Sequence, residues 1–193
     1  MINIIIPTIP GNEEVFSRCL SHLFSYTKQE FKLTIVKNDM SGFAKAVNMG
    51  LKYIDDDCII MNDDAIPTEG WLEDLMEARS HSDIICQNGQ LRPEHSPFFC
   101  ILIKKKVVDK IGVLDEGFLY GDWEDVDYCI RAIDAGFKLG ESSKLLVFHP
   151  HPSTTFRRFS DEFNAMRKKN TKDYFMNKWE NTKWSKRLDG SEW

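Results

Sequence analysis

Residues 58–78 read CIIMNDDAIPTEGWLEDLMEA. Cys58–Met61 is a short, wholly apolar run, the signature of a strand buried on both faces. It delivers Asn62, Asp63 and Asp64 to its carboxyl end. Trp71–Ala78 then reads as a helix. Working upstream, Ile2–Ile6 is a β-branched run ended by Pro7. A helix follows with Asn12 as its N-cap and Val15, Cys19, Leu20 and Leu23 as its apolar stripe. Leu33–Val36 reads as a second strand and Phe43–Ile54 as a second helix. Downstream, Asp83–Cys86 reads as a fourth strand. Short apolar strands alternating with amphipathic helices call for an α/β chain with a parallel sheet and right-handed crossovers.

The pattern changes after residue 90. Phe98–Ile103 reads as a strand with no comparable helix before it, Val107–Ile111 as a short helix, and Leu145–His149 as a last strand. A mixed sheet with inserted loops fits this half. In open α/β sheets, ligands bind beyond the carboxyl ends of the strands. The polar groups that follow strand ends here are Pro7-Thr8, Asn38-Asp39, Asn62-Asp63-Asp64 and His149-Pro150-His151. They are expected to converge at one edge.

Two carboxylate clusters carry the candidate chemistry. Asp63 and Asp64 are adjacent like charges, and such a pair needs a cation or donor groups to offset its repulsion. Hard oxygen ligands suit Mg²⁺ or Mn²⁺, which bridge carboxylates to substrate phosphates. The plainer reading is a capped turn before the helix at Trp71. The second cluster, Gly112–Leu139, packs Asp115, Glu116, Asp122, Glu124, Asp125 and Asp127 around Phe118, Tyr120 and Trp123. Val126, Ile130 and Ile133 recur at helical spacing and Gly136 closes the run. Trp123-Glu124-Asp125 therefore opens a helix. The helix dipole favours carboxylates there, and one of them can be held ready to take a proton.

Composition bounds the alternatives. The chain has 193 residues, 42% hydrophobic, and a net charge of −5. Residues 1–154 hold 15 Lys/Arg against 24 Asp/Glu, while residues 155–193 hold 10 against 6. An acidic body argues against nucleic acid as a partner. The five cysteines are scattered singly without CxxC spacing, so neither a zinc site nor a redox pair is read. They are expected to be reduced and structural in a reducing cytosol. MINIIIPTIP does not read as a signal peptide, and no apolar run approaches the roughly 20 residues that span a bilayer. The expected location is cytoplasmic.

Four features in order make the chain similar to the glycosyltransferases of the GT-A fold, most closely those of family 2. They are Ile4-Ile-Ile-Pro-Thr8; Gly42-Phe-Ala-Lys-Ala-Val-Asn48-Met-Gly50; Met61-Asn-Asp-Asp-Ala65 followed by Gly70-Trp-Leu72; and Gly112-Val-Leu-Asp115-Glu116 running to Glu124-Asp125-Val-Asp127, Arg131 and Gly136. The resemblance spans residues 1–152. It implies a single GT-A domain over residues 1–154, with a Rossmann-like nucleotide-binding half and a mixed central sheet. Residues 155–193 follow as a basic, aromatic, helical tail or lid.

The resemblance also implies roles. A nucleotide-diphosphate sugar, with UDP favoured, is the donor, and a hydroxyl of an unidentified molecule is the acceptor. Pro7, Thr8, Asp39, Lys45, Asn48, Asn62 and Asp63 are the nucleotide-side residues. Asp39 is to accept from the base, with an Asx-turn as the competing reading. Lys45 is to meet a phosphate or solvent, and Asn62 or Asp63 the ribose. Asp64 is to hold the divalent ion, with His149 or His151 completing the shell. Asp125 is the general base of an inverting transfer, with Glu124 and Asp127 as rivals. The chain departs from the family where Asn62 replaces the first carboxylate of the DxD region, and where Pro7-Thr-Ile-Pro10 replaces an aromatic residue and Asn. Two other functions compete: a nucleotidyltransferase, for which Thr8–Glu13 lacks the glycine-rich basic phosphate loop, and a non-catalytic binder of the same fold. For the tail, a lid over the donor, a contact with an anionic membrane surface and a plain structural cap are the three readings.

Overall fold

The structure is a computed structural model that describes residues 1–39, 41–150 and 159–185. Its elements run β1 (Ile2–Thr8), α1 (Glu13–Tyr26), β2 (Phe31–Lys37), α2 (Phe43–Leu51), β3 (Cys58–Met61), β4 (Ile66–Pro67), α3 (Trp71–Ala78), β5 (Ile84–Cys86), β6 (Cys100–Ile103), α4 (Lys105–Ile111), α5 (Glu124–Asp134), β7 (Leu139–Glu141), β8 (Val147–Phe148) and α6 (Asp161–Trp179). Six strands form the central sheet in the order β2-β1-β3-β6-β5-β7. β1 pairs in parallel with β2 and β3, β5 in parallel with β7, and β6 runs antiparallel to both its neighbours. The sheet is mixed, with the antiparallel strand in the half where the sequence pattern changes.

The continuous apolar strands make sense because both faces of the sheet are covered. Side chains alternate across a strand. Ile2, Ile4, Ile6, Ile59, Met61, Ile85, Cys100 and Leu102 enter one core with Cys19 and Leu23 of α1 and Trp71, Leu72 and Leu75 of α3. Ile5, Cys58, Ile60, Ile84, Cys86, Ile101 and Ile103 enter the other, with α2 and with Tyr128, Cys129 and Ala132 of α5. Gly50 lets α2 lie against β1: a Cβ there would stand 2.5 Å from Ile5 Cγ2.

Several elements differ from the sequence reading; α2 ends at Leu51 and not Ile54, and β4 was not read at all. β1 does not stop at Pro7 but runs to Thr8, opposite Val36 and Lys37 of β2. Its ladder with β3 covers only Asn3–Ile5, so the missing amide of Pro7 removes no bond on that side. β7 was hidden because Leu139-Gly-Glu141 is no apolar run; its order comes from pairing with β5. The last strand shrinks to Val147–Phe148 and leaves the main sheet to pair antiparallel with β4. That small two-stranded sheet carries His149 back towards the end of β3.

Within the tail, α6 packs on α5. Ser160 caps it, accepting from Phe163 N at 3.2 Å. Phe175 is buried with Phe118, Val126, Ile130 and Trp184. No helix among the described residues is long and apolar enough to cross a membrane.

Candidate active site

A cavity of about 850 Å³ opens at the carboxyl ends of β1 and β3. Its lining includes Pro7 and Asn12 on one side and Asn62, Asp63, Asp64, Phe99 and His149 at the end of β3. Asp122, Glu124 and Asp125 at the start of α5 face it too, as do Phe159, Phe163 and Arg167 around α6. The two carboxylate clusters, about sixty positions apart in sequence, thus share one hollow.

At the β3 end the adjacent aspartates have different partners. Asp63 Oδ2 accepts from Thr8 Oγ1 at 2.8 Å and from Asn12 Nδ2 at 2.9 Å. Burial pushes the Asp63 carboxyl above its usual range, against the pull of those two hydrogen bonds. Asn12 is therefore at the N-cap position of α1 without capping it; its amide serves Asp63. Asp64 is 2% exposed, and its Oδ1 lies 2.9 Å from His149 Nε2. Asn62 Nδ2 stands 3.2 Å from the same nitrogen. Phe99 stacks on the His149 ring, centroids 5.1 Å apart, and its carbonyl accepts from Asn62 N at 2.8 Å. The strand pairing β4–β8 and this aromatic floor fix the imidazole against the carboxylate.

That pair fits a divalent ion. Donor atoms in neighbouring positions of an octahedron with bonds of about 2.1 Å lie about 3 Å apart, close to the observed 2.9 Å. A carboxylate oxygen and an imidazole nitrogen are donors that Mn²⁺ accepts. Among the described residues no cluster of three or more His, Cys, Asp or Glu could hold a metal by itself. Two protein donors leave the other positions to phosphate oxygens and water, the usual arrangement at nucleotide sites. His151 lies outside the described residues.

At the α5 end the backbone is unusual. Tyr120, Gly121, Asp122 and Trp123 all have positive φ, at 67°, 90°, 78° and 72°. For the three non-glycine residues the left-handed region costs about 1 kcal/mol each. The surroundings hold this stretch. Gly42, itself at φ 108°, lies so close to Tyr120 that a Cβ would be 3.2 Å from its amide nitrogen. Arg167 Nη1 donates to Tyr120 O at 3.3 Å and pairs with Asp122 at 3.1 Å. The stretch throws Glu124 and Asp125 into the cavity at the start of α5.

Residues 17–99 match the model of the family described as Glycosyl transferase family 2. The chain has the GT-A fold. Solved structures with the same fold include the mannosyltransferase PcManGT from Pyrobaculum calidifontis in complex with GDP-Man and Mn²⁺. It is 13% identical, with a TM-score of 0.72, over 97% of this chain and 67% of that one. The catalytic domain of Drosophila beta1,4galactosyltransferase 7, in complex with xylobiose, is 15% identical with a TM-score of 0.65, over 88% and 79% of the two chains. TarS 1–349 of S. aureus with UDP-GlcNAc is 13% identical with a TM-score of 0.60, over 94% and 73%. No curated protein matches the chain.

The three candidate bases have distinct surroundings. Asp125 faces the cavity; its Oδ1 accepts from Val126 N at 2.8 Å and its Oδ2 lies 2.9 Å from His95 Nε2. Glu124 is buried, and burial together with the Asp125 charge holds its carboxyl well above the usual carboxylate range. Asp127 points away from the cavity, wholly buried, and meets Arg131 Nε at 2.9 Å and Lys178 Nζ at 2.7 Å.

Four nucleotide-side residues do not line the cavity: Thr8, spent on Asp63, and Asp39, Lys45 and Asn48. Asp39 is exposed and its Oδ1 accepts from Ser41 N at 3.2 Å, the Asx-turn reading; the Ser41 hydroxyl first, and then this backbone bond, hold its carboxyl below the usual range. Asn38 lines the cavity instead. Lys45 points to solvent. Asn48 is buried and spent on the loop before α5: it donates to Leu114 O at 2.8 Å and Glu116 Oε1 at 3.0 Å, and accepts from Leu114 N at 2.9 Å. Its place in the glycine-to-asparagine helix is structural, because both ends of the amide are occupied there. His95, Phe163 and Arg167 had no signal in the sequence, since they come from a loop and a tail without motif spacing, and Asn12 was legible only as a helix cap.

Proposed function

We propose that this protein transfers a sugar from a nucleotide-diphosphate sugar to an acceptor hydroxyl, with divalent-metal assistance and inversion. One observation carries the reading: the Asp64–His149 pair and Asp125 face one cavity from different strand and helix ends. Asp64 and His149 hold the ion. Bound there, Mn²⁺ or Mg²⁺ neutralises the charge that develops on the departing diphosphate. Asn62 and Asp63 lie beside that pair, with Asp63 oriented by Thr8 and Asn12, and they bind the donor's ribose side. Asp125 takes the proton from the acceptor oxygen as that oxygen bonds to the anomeric carbon and the bond to the diphosphate breaks.

Solved structures with the same fold include complexes with UDP-Gal and manganese, with GDP-Man and Mn²⁺, and with UDP-GlcNAc, which supports a nucleotide sugar here. UDP is favoured by the family resemblance. The test is titration of UDP into the protein with Mn²⁺ and with EDTA, beside Asp64→Ala. Binding that needs the metal and disappears in the variant is expected. Equal binding with EDTA would remove the metal from the reading. If UDP fails and GDP binds, the donor is a GDP-sugar.

A further inference from the structure

His95 sits in the loop between β5 and β6, far in sequence from every motif. Its Nε2 lies 2.9 Å from Asp125 Oδ2. An ionised carboxylate can only accept, so Nε2 carries the proton and donates. Oδ1 of the same carboxylate accepts from Val126 N at 2.8 Å. Both oxygens are therefore directed by fixed donors.

The order of the three elements matters. Asp125 lines the cavity and His95 does not. An imidazole that took the acceptor's proton itself would need to face the acceptor with the carboxylate behind it. Here the carboxylate is in front.

The loop is built to keep the imidazole there. Arg92 and His95 form a two-way backbone bridge, Arg92 N to His95 O at 2.8 Å and His95 N to Arg92 O at 3.3 Å. The next residue, Ser96, is wholly buried, and its carbonyl accepts from Cys129 Sγ at 3.9 Å. Cys129 lies one turn beyond Asp125 on α5, so consecutive loop residues grip consecutive turns of one helix face. Pro93 and Pro97 flank the grip and restrict its backbone.

We propose that His95 is a positioning residue that holds the Asp125 carboxylate in its productive orientation towards the acceptor. This rests on Asp125 being the base. A base displaced by about 1 Å loses about a hundredfold in rate, so orientation is worth a dedicated partner.

The test compares His95→Ala, His95→Gln, Asp125→Asn and the double variant His95→Ala/Asp125→Asn. The readouts are Mn²⁺-dependent nucleotide release from UDP-Gal, UDP-GlcNAc or GDP-Man, and nucleotide binding by titration. His95→Ala is expected to lower kcat by tenfold to about a hundredfold, with nucleotide affinity unchanged. His95→Gln, whose Nε2 can reach the same oxygen, should recover to within about threefold, and the double variant should be no slower than Asp125→Asn alone. His95→Ala at wild-type rate beside an inactive Asp125→Asn would overturn the positioning role and leave the base intact. An active Asp125→Asn would sink the base reading and, with it, the role of His95. Crystal structures of the two His95 variants test the geometry without turnover. Asp125 should turn away in His95→Ala and stay in His95→Gln; an unmoved carboxylate in both overturns the proposal.

Discussion

Trp179 Nε1 donates to Asp127 Oδ1 at 3.0 Å. The last residue of α6 is thereby tied to the first turn of α5, the helix that begins with Glu124 and Asp125. Lys178 pairs with Asp127 at 2.7 Å and with Asp115 at 2.5 Å, and Arg131 Nε donates to Asp127 at 2.9 Å. Asp127 is wholly buried, so its charge is tolerated only because cations surround it. Asp127→Asn leaves Lys178 and Arg131 without that counter-charge. The expected cost is about 3 kcal/mol, or a fall in Tm of roughly 6–12 °C, read by thermal denaturation. Nucleotide binding to the surviving folded protein should be unchanged, because Asp127 does not face the cavity. A loss of binding without loss of stability would contradict this assignment.

Gly50 sits where α2 touches β1. A Cβ there would be 2.5 Å from Ile5 Cγ2, and Ile5 is fully buried between α2 and the sheet. Gly50→Ala gains helix propensity of about 1 kcal/mol but must push α2 off the strand, which costs about 1–3 kcal/mol. A net loss in a denaturant titration is expected. Ile5→Ala in the same chain should remove the penalty of the new methyl, so the double variant should be more stable than the two single losses added. Simple additivity would show that the contact is not the cause.

The same two residues show what a sequence discloses. Ile5 lies in an apolar β-branched run, and its strand, its burial and its place in an α/β sheet all follow from that pattern. The Asp64 and Asp125 clusters were readable for a related reason: carboxylates concentrated at the end of an apolar strand or the start of a helix are costly without a purpose. What stayed hidden depends on pairing between distant segments. Ile66–Pro67 and Val147–Phe148 become strands only by meeting each other, and that meeting brings His149 to Asp64. His95 reaches Asp125 through a loop held by the Arg92 bridge, which no periodicity marks. Asn48 shows the converse, since its motif suggested a ligand contact while its amide is consumed by the loop at Leu114.

Glu124 gives the protein a distinct pH response. Burial raises its carboxyl well above the ordinary value of 4.5, with the Asp125 charge adding to the rise. Between the unfolded and folded values the native state holds a proton that the unfolded chain has released. Its contribution to stability is therefore present at low pH and falls as pH rises through that window. Glu124→Gln keeps the shape and removes the titration. Relative to wild type, the variant should have little effect on Tm near pH 4 and should raise Tm by pH 8. A Tm difference that is flat with pH would show that Glu124 titrates normally.

Arg167 supplies the last prediction. It is 3% exposed, pairs with Asp122 at 3.1 Å, and donates to the carbonyl of Tyr120 in the left-handed stretch. Burial raises the Asp122 carboxyl, and the Arg167 charge opposes that rise. In Arg167→Met the opposition is gone, so Asp122 moves further up and the ionised form becomes costlier in the folded state. At neutral pH the loss should be about 3 kcal/mol, because a half-buried carboxylate loses its partner and the strained turn loses its anchor. Below the ordinary carboxylate range Asp122 is protonated in both states and only the anchor is missed. The stability gap between variant and wild type should therefore shrink as pH falls from 7 towards 3.5, as measured by denaturant titration. A gap of constant size would assign the whole effect to the turn and none to the ion pair.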